Sequence, residues 1–159
     1  MNALLFALGS HGDVHPFVGI GIRLADRGHR VTVAANEYFK PLIEHAGLEF
    51  VALGTAQEYR ALAMSAELWD RFRGPQAVFE GTARYLRPMY EIATNFYRRH
   101  APDAVIAASS LAIGARVAQD KHGIPLASVH LSPAIFQSAI EPPTFLPFSA
   151  LPAWTPRFV

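Results

Sequence analysis

Residues 3–8 read Ala-Leu-Leu-Phe-Ala-Leu, an apolar run with no polar interruption that stops at Gly9. Such a run, lacking the in-and-out alternation of a half-wet strand, predicts a strand buried on both faces of a parallel sheet. Parallel strands need crossovers, and the next segment supplies one. Residues 16–27 place Phe17, Ile20, Gly21, Leu24 and Ala25 on one helical stripe. Pro16 is expected in the first turn, where its missing N–H costs nothing, and Gly28 at the left-handed exit.

The same unit then repeats in kind. Residues 30–35 predict a second strand, 38–46 a second helix with Phe39, Leu42, Ile43 and Ala46 inward, and 48–53 a third strand after the Gly47 stop. Later come a strand over 104–108, a helix over 110–122 closed by Gly123, and a strand over 125–130. In the middle, Phe79, Ala83, Leu86, Tyr90, Ala93, Phe96 and Tyr97 recur at three-and-four spacing, which predicts one or two helices. Pro88 kinks them or starts the second, and residues 67–75 are expected as a loop. The fold class is therefore α/β, a Rossmann-like, doubly wound parallel sheet of about five or more strands with helices on both faces. Residues 1–140 read as one domain. Residues 141–159 carry five prolines among Phe145, Phe148, Trp154 and Phe158, which reads as a loop or linker.

Composition narrows the function. Lys+Arg 14 against Asp+Glu 13 gives +1 with no basic run, which argues against a nucleic-acid partner. The absence of Cys removes disulfides, thiol nucleophiles and zinc-thiolate sites. The apolar start has no basic flank, and no run approaches the roughly 20 residues of a spanning helix. A cytoplasmic chain without a transmembrane segment is expected.

In a doubly wound sheet ligands bind beyond the carboxyl ends of the strands, near the switch in strand order. The loop Gly9-Ser10-His11-Gly12-Asp13-Val14-His15-Pro16 is the first candidate. Its glycines permit a sharp turn, and the following helix offers free N–H groups to an anion. Its spacing matches neither the dinucleotide fingerprint nor the phosphate loop. Asp13 reads either as a catalytic carboxylate or as an Asx-turn or helix cap. His11 and His15 flank it as His-x-Asp-x-His, but no third neutral ligand follows, so no metal is expected. His15 is expected to cap the first helix and His29 to be structural, while His130 reads equally as structural or as facing the cleft. Two other readings remain open: a dinucleotide-binding module with Glu37 on a ribose, and a non-catalytic interaction domain docking through its Pro/aromatic tail.

Taken with its flanks, the loop resembles the opening of the GT-B glycosyltransferases, in particular the glycosyltransferase family 28 N-terminal domains and the sterol and antibiotic glucosyltransferases. The likeness runs from the loop into Leu24-Ala25-Asp26-Arg27-Gly28-His29-Arg30-Val31-Thr32-Val33. It continues through Glu44-His45-Ala46-Gly47-Leu48-Glu49-Phe50, Pro102-Asp103-Ala104-Val105-Ile106 and Val117-Ala118-Gln119-Asp120-Lys121-His122-Gly123-Ile124-Pro125. It spans about residues 2–133, in order.

The resemblance implies an inverting transfer of a sugar from a nucleotide sugar, expected to be a UDP-hexose, to a lipophilic hydroxyl acceptor. Both are substrates, and no cofactor is implied. Asp13 falls at the position of the general base, with His11 next in line, and Ser10 and Gly12 fall beside the donor diphosphate. The plant branch of these enzymes pairs its base with an Asp after the fourth strand. Here Ala108 stands there, followed by Ser109 and Ser110, so Asp13 has no partner nameable from sequence. Acceptor contacts are expected from His130, Phe136, Phe145 and Phe148, and from the aromatic residues of 59–97. The donor-binding C-terminal domain is expected to be missing or supplied separately, leaving this chain inactive alone and its uncovered aromatic face open to self-association.

Overall fold

The computed structural model describes residues 1–70 and 72–132. Met1–Val129 form one compact unit and His130–Val159 a second. Phe136, Phe145, Phe148 and the segment 141–159 lie outside the described residues.

Five strands are joined in one parallel sheet: β1 (Asn2–Phe6), β2 (Arg30–Ala35), β3 (Glu49–Ala52), β4 (Ala104–Ser109) and β5 (Leu126–Val129), in the order β3-β2-β1-β4-β5. β1 is central, with Phe6 opposite Ala34 on one side and Ala108 on the other. Its Leu4, Leu5 and Phe6 are at most 1% exposed. At about 1.5–3 kcal/mol per fully buried large side chain, this strand anchors the unit.

The helices are α1 (His11–Asp26), α2 (Lys40–His45), α3 (Ala56–Ala63), α4 (Gly74–Ala83), α5 (Leu86–His100) and α6 (Ile113–His122). On α1, Val14, Phe17, Val18 and Gly21 are buried, the i, i+3, i+4, i+7 stripe of a helix lying on a sheet. Gly21 sits over Leu5 and Val31, which puts α1 on one face of β1 and β2. On the other face Leu4, Phe6, Ile106 and Ala108 share a core cluster with Met89 and Ala93 of α5 and Ala115 and Ala118 of α6. The sheet is thus covered from both sides, and chain order reverses between β1 and β4. That is the switch point, and the β1–α1 loop opens there.

The structure corrects several local expectations. α1 begins at His11 rather than Pro16, so Pro16 is the sixth helical residue and lies beyond the first turn. Ser10 is the N-cap, and His15 lies in the second turn, where it caps nothing. The expected second helix divides into a 3-10 turn, Glu37–Phe39, and the short α2. The middle holds three α-helices and a further 3-10 turn, Ala66–Trp69, where one or two helices and a loop were expected. Pro88 falls in the first turn of α5 and so starts a helix without kinking one. Before the fifth strand, α6 starts three residues later than its apolar pattern suggested.

Among the described residues no helix is long and apolar enough to cross a membrane.

Candidate active site

The carboxyl ends of β1, β2 and β3 bring three connecting segments to one edge of the sheet. The first carries Gly9 to Asp13. Ser10 takes an extended backbone (φ −86°, ψ −174°) and ends the loop. Its backbone N–H donates to Asp13 Oδ2 at 2.7 Å, and its hydroxyl donates to the same oxygen at 3.0 Å. This is the acidic arm of a capping box: the third helical residue reaches back to donors that the helix leaves unsatisfied. Oδ1 of Asp13 receives no hydrogen bond among the described residues, and the side chain is half-buried. The partner that sequence reasoning failed to find for Asp13 is therefore Ser10, and the signal was present as Ser-x-x-Asp at capping-box spacing.

Gly9 makes this approach possible. Its φ of +124° is open to glycine and strained for other residues, and a Cβ there would collide with the Asp13 carboxylate. Gly12 is exposed, and because residue 16 is proline its carbonyl receives no helical N–H from four residues on. That carbonyl, next to Asp13 in the chain, lacks the bond an unbroken helix would give it.

The second segment follows β2. Phe39 is buried, Tyr38 half-buried, and both meet His11 edge-on, with ring centroids 4.9 Å and 5.6 Å away. The third segment, α3, supplies Tyr59, which stacks on Tyr38 at 4.6 Å and 25° and meets Phe39 edge-on at 5.0 Å. Arg60 lies over Tyr38, its guanidinium carbon 5.6 Å from the ring centroid. Burial pushes the Tyr59 phenol up, and the neighbouring Tyr38 and the Asp13 carboxylate push the same way. His11, Tyr38, Phe39 and Tyr59 are therefore one aromatic cluster beside Asp13, of which the sequence pointed to His11 and, within the aromatic stretch 59–97, to Tyr59, but not to Tyr38 or Phe39 as site residues.

Polar ties hold the second and third segments together. Asn36 accepts from the Tyr38 N–H at 3.0 Å and donates to the Thr55 carbonyl at 3.0 Å. Glu37, considered above as a ribose ligand, accepts from the Ala56 N–H at 3.2 Å at the start of α3. One oxygen of that carboxylate thus caps the start of α3. Glu58 accepts from the Thr55 N–H at 2.8 Å, the Thr55 hydroxyl at 3.0 Å and the Tyr85 hydroxyl at 3.0 Å. The Thr55 backbone bond, followed by the two hydroxyls, holds its carboxyl below the usual range.

His130 follows β5, is exposed, and belongs to the second unit. At the end of β4, Ala108 is buried in the α5–α6 core. Ser109 beside it is 4% exposed, and its hydroxyl has no hydrogen-bond partner among the described residues. His11 and His15 are 5.6 Å apart between ring centroids, and no group of three or more His, Cys, Asp or Glu suited to a metal ion occurs among the described residues. A cleft of about 240 Å³ lies at the opposite, amino-terminal edge of the sheet, lined by Asn2, Arg30, Thr32, Glu49, Phe96, Arg99 and His100. It contains none of the loop residues, and its walls hold the Arg30–Glu49 ion pair at 3.0 Å.

Residues 3–140 match the family model described as the glycosyltransferase family 28 N-terminal domain. Over 52 residues the chain is 50% identical to the O-mycaminosyltylonolide 6-deoxyallosyltransferase of Streptomyces fradiae, covering 33% of this chain and 12% of that protein. Over 54 residues it is 48% identical to a sterol 3-beta-glucosyltransferase of Arabidopsis thaliana, covering 34% of this chain and 8% of that protein. Among solved structures, the glycosyltransferase SsfS6 of Streptomyces sp. SF2575 superposes with a TM-score of 0.61 at 23% identity, covering 82% of this chain and 39% of that one. The chain thus spans well under half the length of the relatives it matches.

Proposed function

The chain belongs to the glycosyltransferase family 28 N-terminal domains, and from that membership we propose that it is the acceptor-binding half of an inverting nucleotide-sugar glycosyltransferase with Asp13 as general base. The observation that carries this reading is the Asp13 carboxylate, held by Ser10 through Oδ2 at the switch point of the sheet and left open at Oδ1.

In the proposed reaction an acceptor hydroxyl approaches Oδ1 and passes its proton to the carboxylate. Its oxygen forms a bond to the anomeric carbon from the face opposite the leaving group. The bond from that carbon to the diphosphate breaks, and the nucleoside diphosphate leaves with the electron pair. The configuration inverts because attack and departure are in line. A positioned base supplies roughly 10²–10⁴-fold in such a step. A carboxylate has no tautomer to select, so it needs anchoring and no orienting partner, and Ser10 provides the anchor.

Ser10 is thereby a support for the base, with its hydroxyl already committed to Asp13. The donor diphosphate is proposed to meet Gly12 and the exposed start of α1, where the helix presents partial positive charge. The donor, expected to be a UDP-hexose, is held chiefly by a second domain beyond these residues. A lipophilic acceptor is supported by the sterol 3-beta-glucosyltransferase relative and by the aromatic cluster around His11.

The test is transfer of labelled glucose from UDP-glucose to sterol and macrolide acceptors by an enzyme that joins this domain to a donor-binding domain. Inverted product with the parental Asp13, and none with Asp13→Asn, is the expected result. Turnover by Asp13→Asn near the parental rate moves the base elsewhere.

A further inference from the structure

Arg60 is an exposed guanidinium that pairs with no carboxylate among the described residues. Arg23, Arg30, Arg84 and Arg87 each reach one within 4.0 Å, whereas Arg27, Arg73, Arg98, Arg99 and Arg116, like Arg60, reach none among the described residues. Arg60 instead lies over the ring of Tyr38, whose own face is stacked on Tyr59. Both tyrosines are half-buried, and each is buttressed edge-on by the buried ring of Phe39. This makes a stiff aromatic ledge: the rings have few torsions to lose, and Asn36 fixes the backbone of Tyr38. His11, two residues before Asp13, reaches the same Tyr38 ring at 5.6 Å, and so does Arg60. His11, which shares the first turn of α1 with Asp13, and Arg60 therefore both flank this one ring.

We propose that Tyr38, Tyr59 and Arg60 form an acceptor subsite for a flat ring compound that carries a carboxylate as well as the hydroxyl that reacts. This rests on the reading of Asp13 as the base and adds a substrate class to it. The rings of the ligand lie against the tyrosines, its hydroxyl meets Asp13 Oδ1, and its carboxylate takes the fork of Arg60. A guanidinium is suited to that last contact because its paired N–H groups match the two oxygens of a carboxylate. Cation–π contact with Tyr38 holds the fork in place before the ligand arrives. An exposed arginine already in an ion pair would have to give up that partner first; Arg60 has none among the described residues to give up.

Two probes that differ only in the acid separate the ledge from the fork: 2-naphthol and 6-hydroxy-2-naphthoate. Binding of each to the chain is measured by calorimetry, with amide resonances of Tyr38, Tyr59 and Arg60 followed by NMR. The naphthoate is expected to bind at least about tenfold more tightly, the equivalent of one hydrogen-bonded charge contact, with shifts confined to the three residues and the start of α1. Arg60→Gln should erase the preference and leave naphthol affinity unchanged. Tyr59→Ala should weaken both probes, and Tyr59→Phe, which keeps the ring and the fold, should weaken neither. Equal affinities for the two probes, a preference that survives Arg60→Gln, or shifts away from the ledge would overturn the subsite. The two readings fail separately. Acid-selective binding with full transfer by Asp13→Asn removes the base and keeps the subsite. Transfer that depends on Asp13 with no acid preference removes the subsite and keeps the base.

Discussion

Ser10 and Asp13 are joined twice through a single oxygen: the Ser10 N–H and hydroxyl both donate to Asp13 Oδ2, at 2.7 Å and 3.0 Å. The same two bonds that finish the first turn of α1 also fix the direction of the free oxygen, Oδ1. A helix cap and a catalytic carboxylate are usually set against each other as readings of one residue. Here the geometry allows both, one oxygen for each, and substitutions can be chosen that divide them.

Asp13→Asn keeps an acceptor oxygen for the Ser10 N–H and removes the base. Transfer by the joined enzyme should fall by about 10²–10⁴-fold, with little change in the melting temperature of this chain. Asp13→Ala removes the cap as well and should also cost about 1 kcal/mol of stability. Parallel melting curves and initial rates for the two variants separate the roles. A loss of stability in Asp13→Asn as large as in Asp13→Ala would mean that the charge itself holds the turn.

Gly9→Ala tests the loop from the other side. The backbone at Gly9 has φ +124°, and the added methyl would strike the Asp13 carboxylate. The variant should lose about 1–3 kcal/mol in urea unfolding from backbone strain. Activity of the joined enzyme should fall well beyond what the fraction unfolded explains, because the carboxylate must swing away. An active, fully stable Gly9→Ala would show that the loop relaxes at no cost.

Gly114→Ala probes the packing of α5 against α6. A Cβ at Gly114 would lie 2.7 Å from Met89 Cβ and closer still to the Leu86 carbonyl, which is backbone and cannot rotate aside. The helices must separate, at an expected cost of about 1–3 kcal/mol, read as a lowered urea midpoint. The Tyr90 hydroxyl, 2.7 Å from His122 Nε2 across the same helix pair, should change its hydrogen-bonded NMR signature in step.

Glu49 makes a pH prediction. The Thr32 hydroxyl holds its carboxyl below the usual range, opposed by slight burial and reinforced by Arg30 and His100. A depressed folded-state value means that stability is gained when the group is ionised. That gain is complete above the ordinary value of 4.5 and is lost as pH falls through the depressed one. Since the Arg30 and Glu49 side chains are 72% and 55% exposed, the gain is screened and should stay below ~1 kcal/mol. Glu49→Gln should therefore be slightly less stable than the parent at pH 7, and the two urea curves should converge below pH 4.5. A gap that widens in acid would contradict the assignment.

Much of the architecture is legible in the chain because it is written in local periodicity. The unbroken run at residues 3–8 overlaps β1, Asn2–Phe6, whose apolar residues the structure buries at the centre of the sheet. The Phe17–Gly21 stripe marks the buried side of α1, and Gly28, Gly47 and Gly123 all adopt positive φ at helix exits. The start of α1 was misread for a physical reason. Pro16 is a strong local marker of a first turn, but two hydrogen bonds between Ser10 and Asp13 start the helix five residues earlier, and the proline forfeits a bond only to an exposed carbonyl. The middle helices were undercounted because α3 is only 8 residues long and has no buried residue, so no core-facing run marks it.

By itself the sequence determined where the strands lie, that the sheet is parallel, and that the β1–α1 turn is where a ligand would be met. Tertiary structure alone decided that His11, Tyr38, Phe39, Tyr59 and Arg60 assemble beside Asp13. The reason is that a parallel sheet delivers every strand's carboxyl end to one edge, so residues some 20 to 50 positions apart become neighbours through strand order and register. No spacing along the chain records those distances; only the paired strands do.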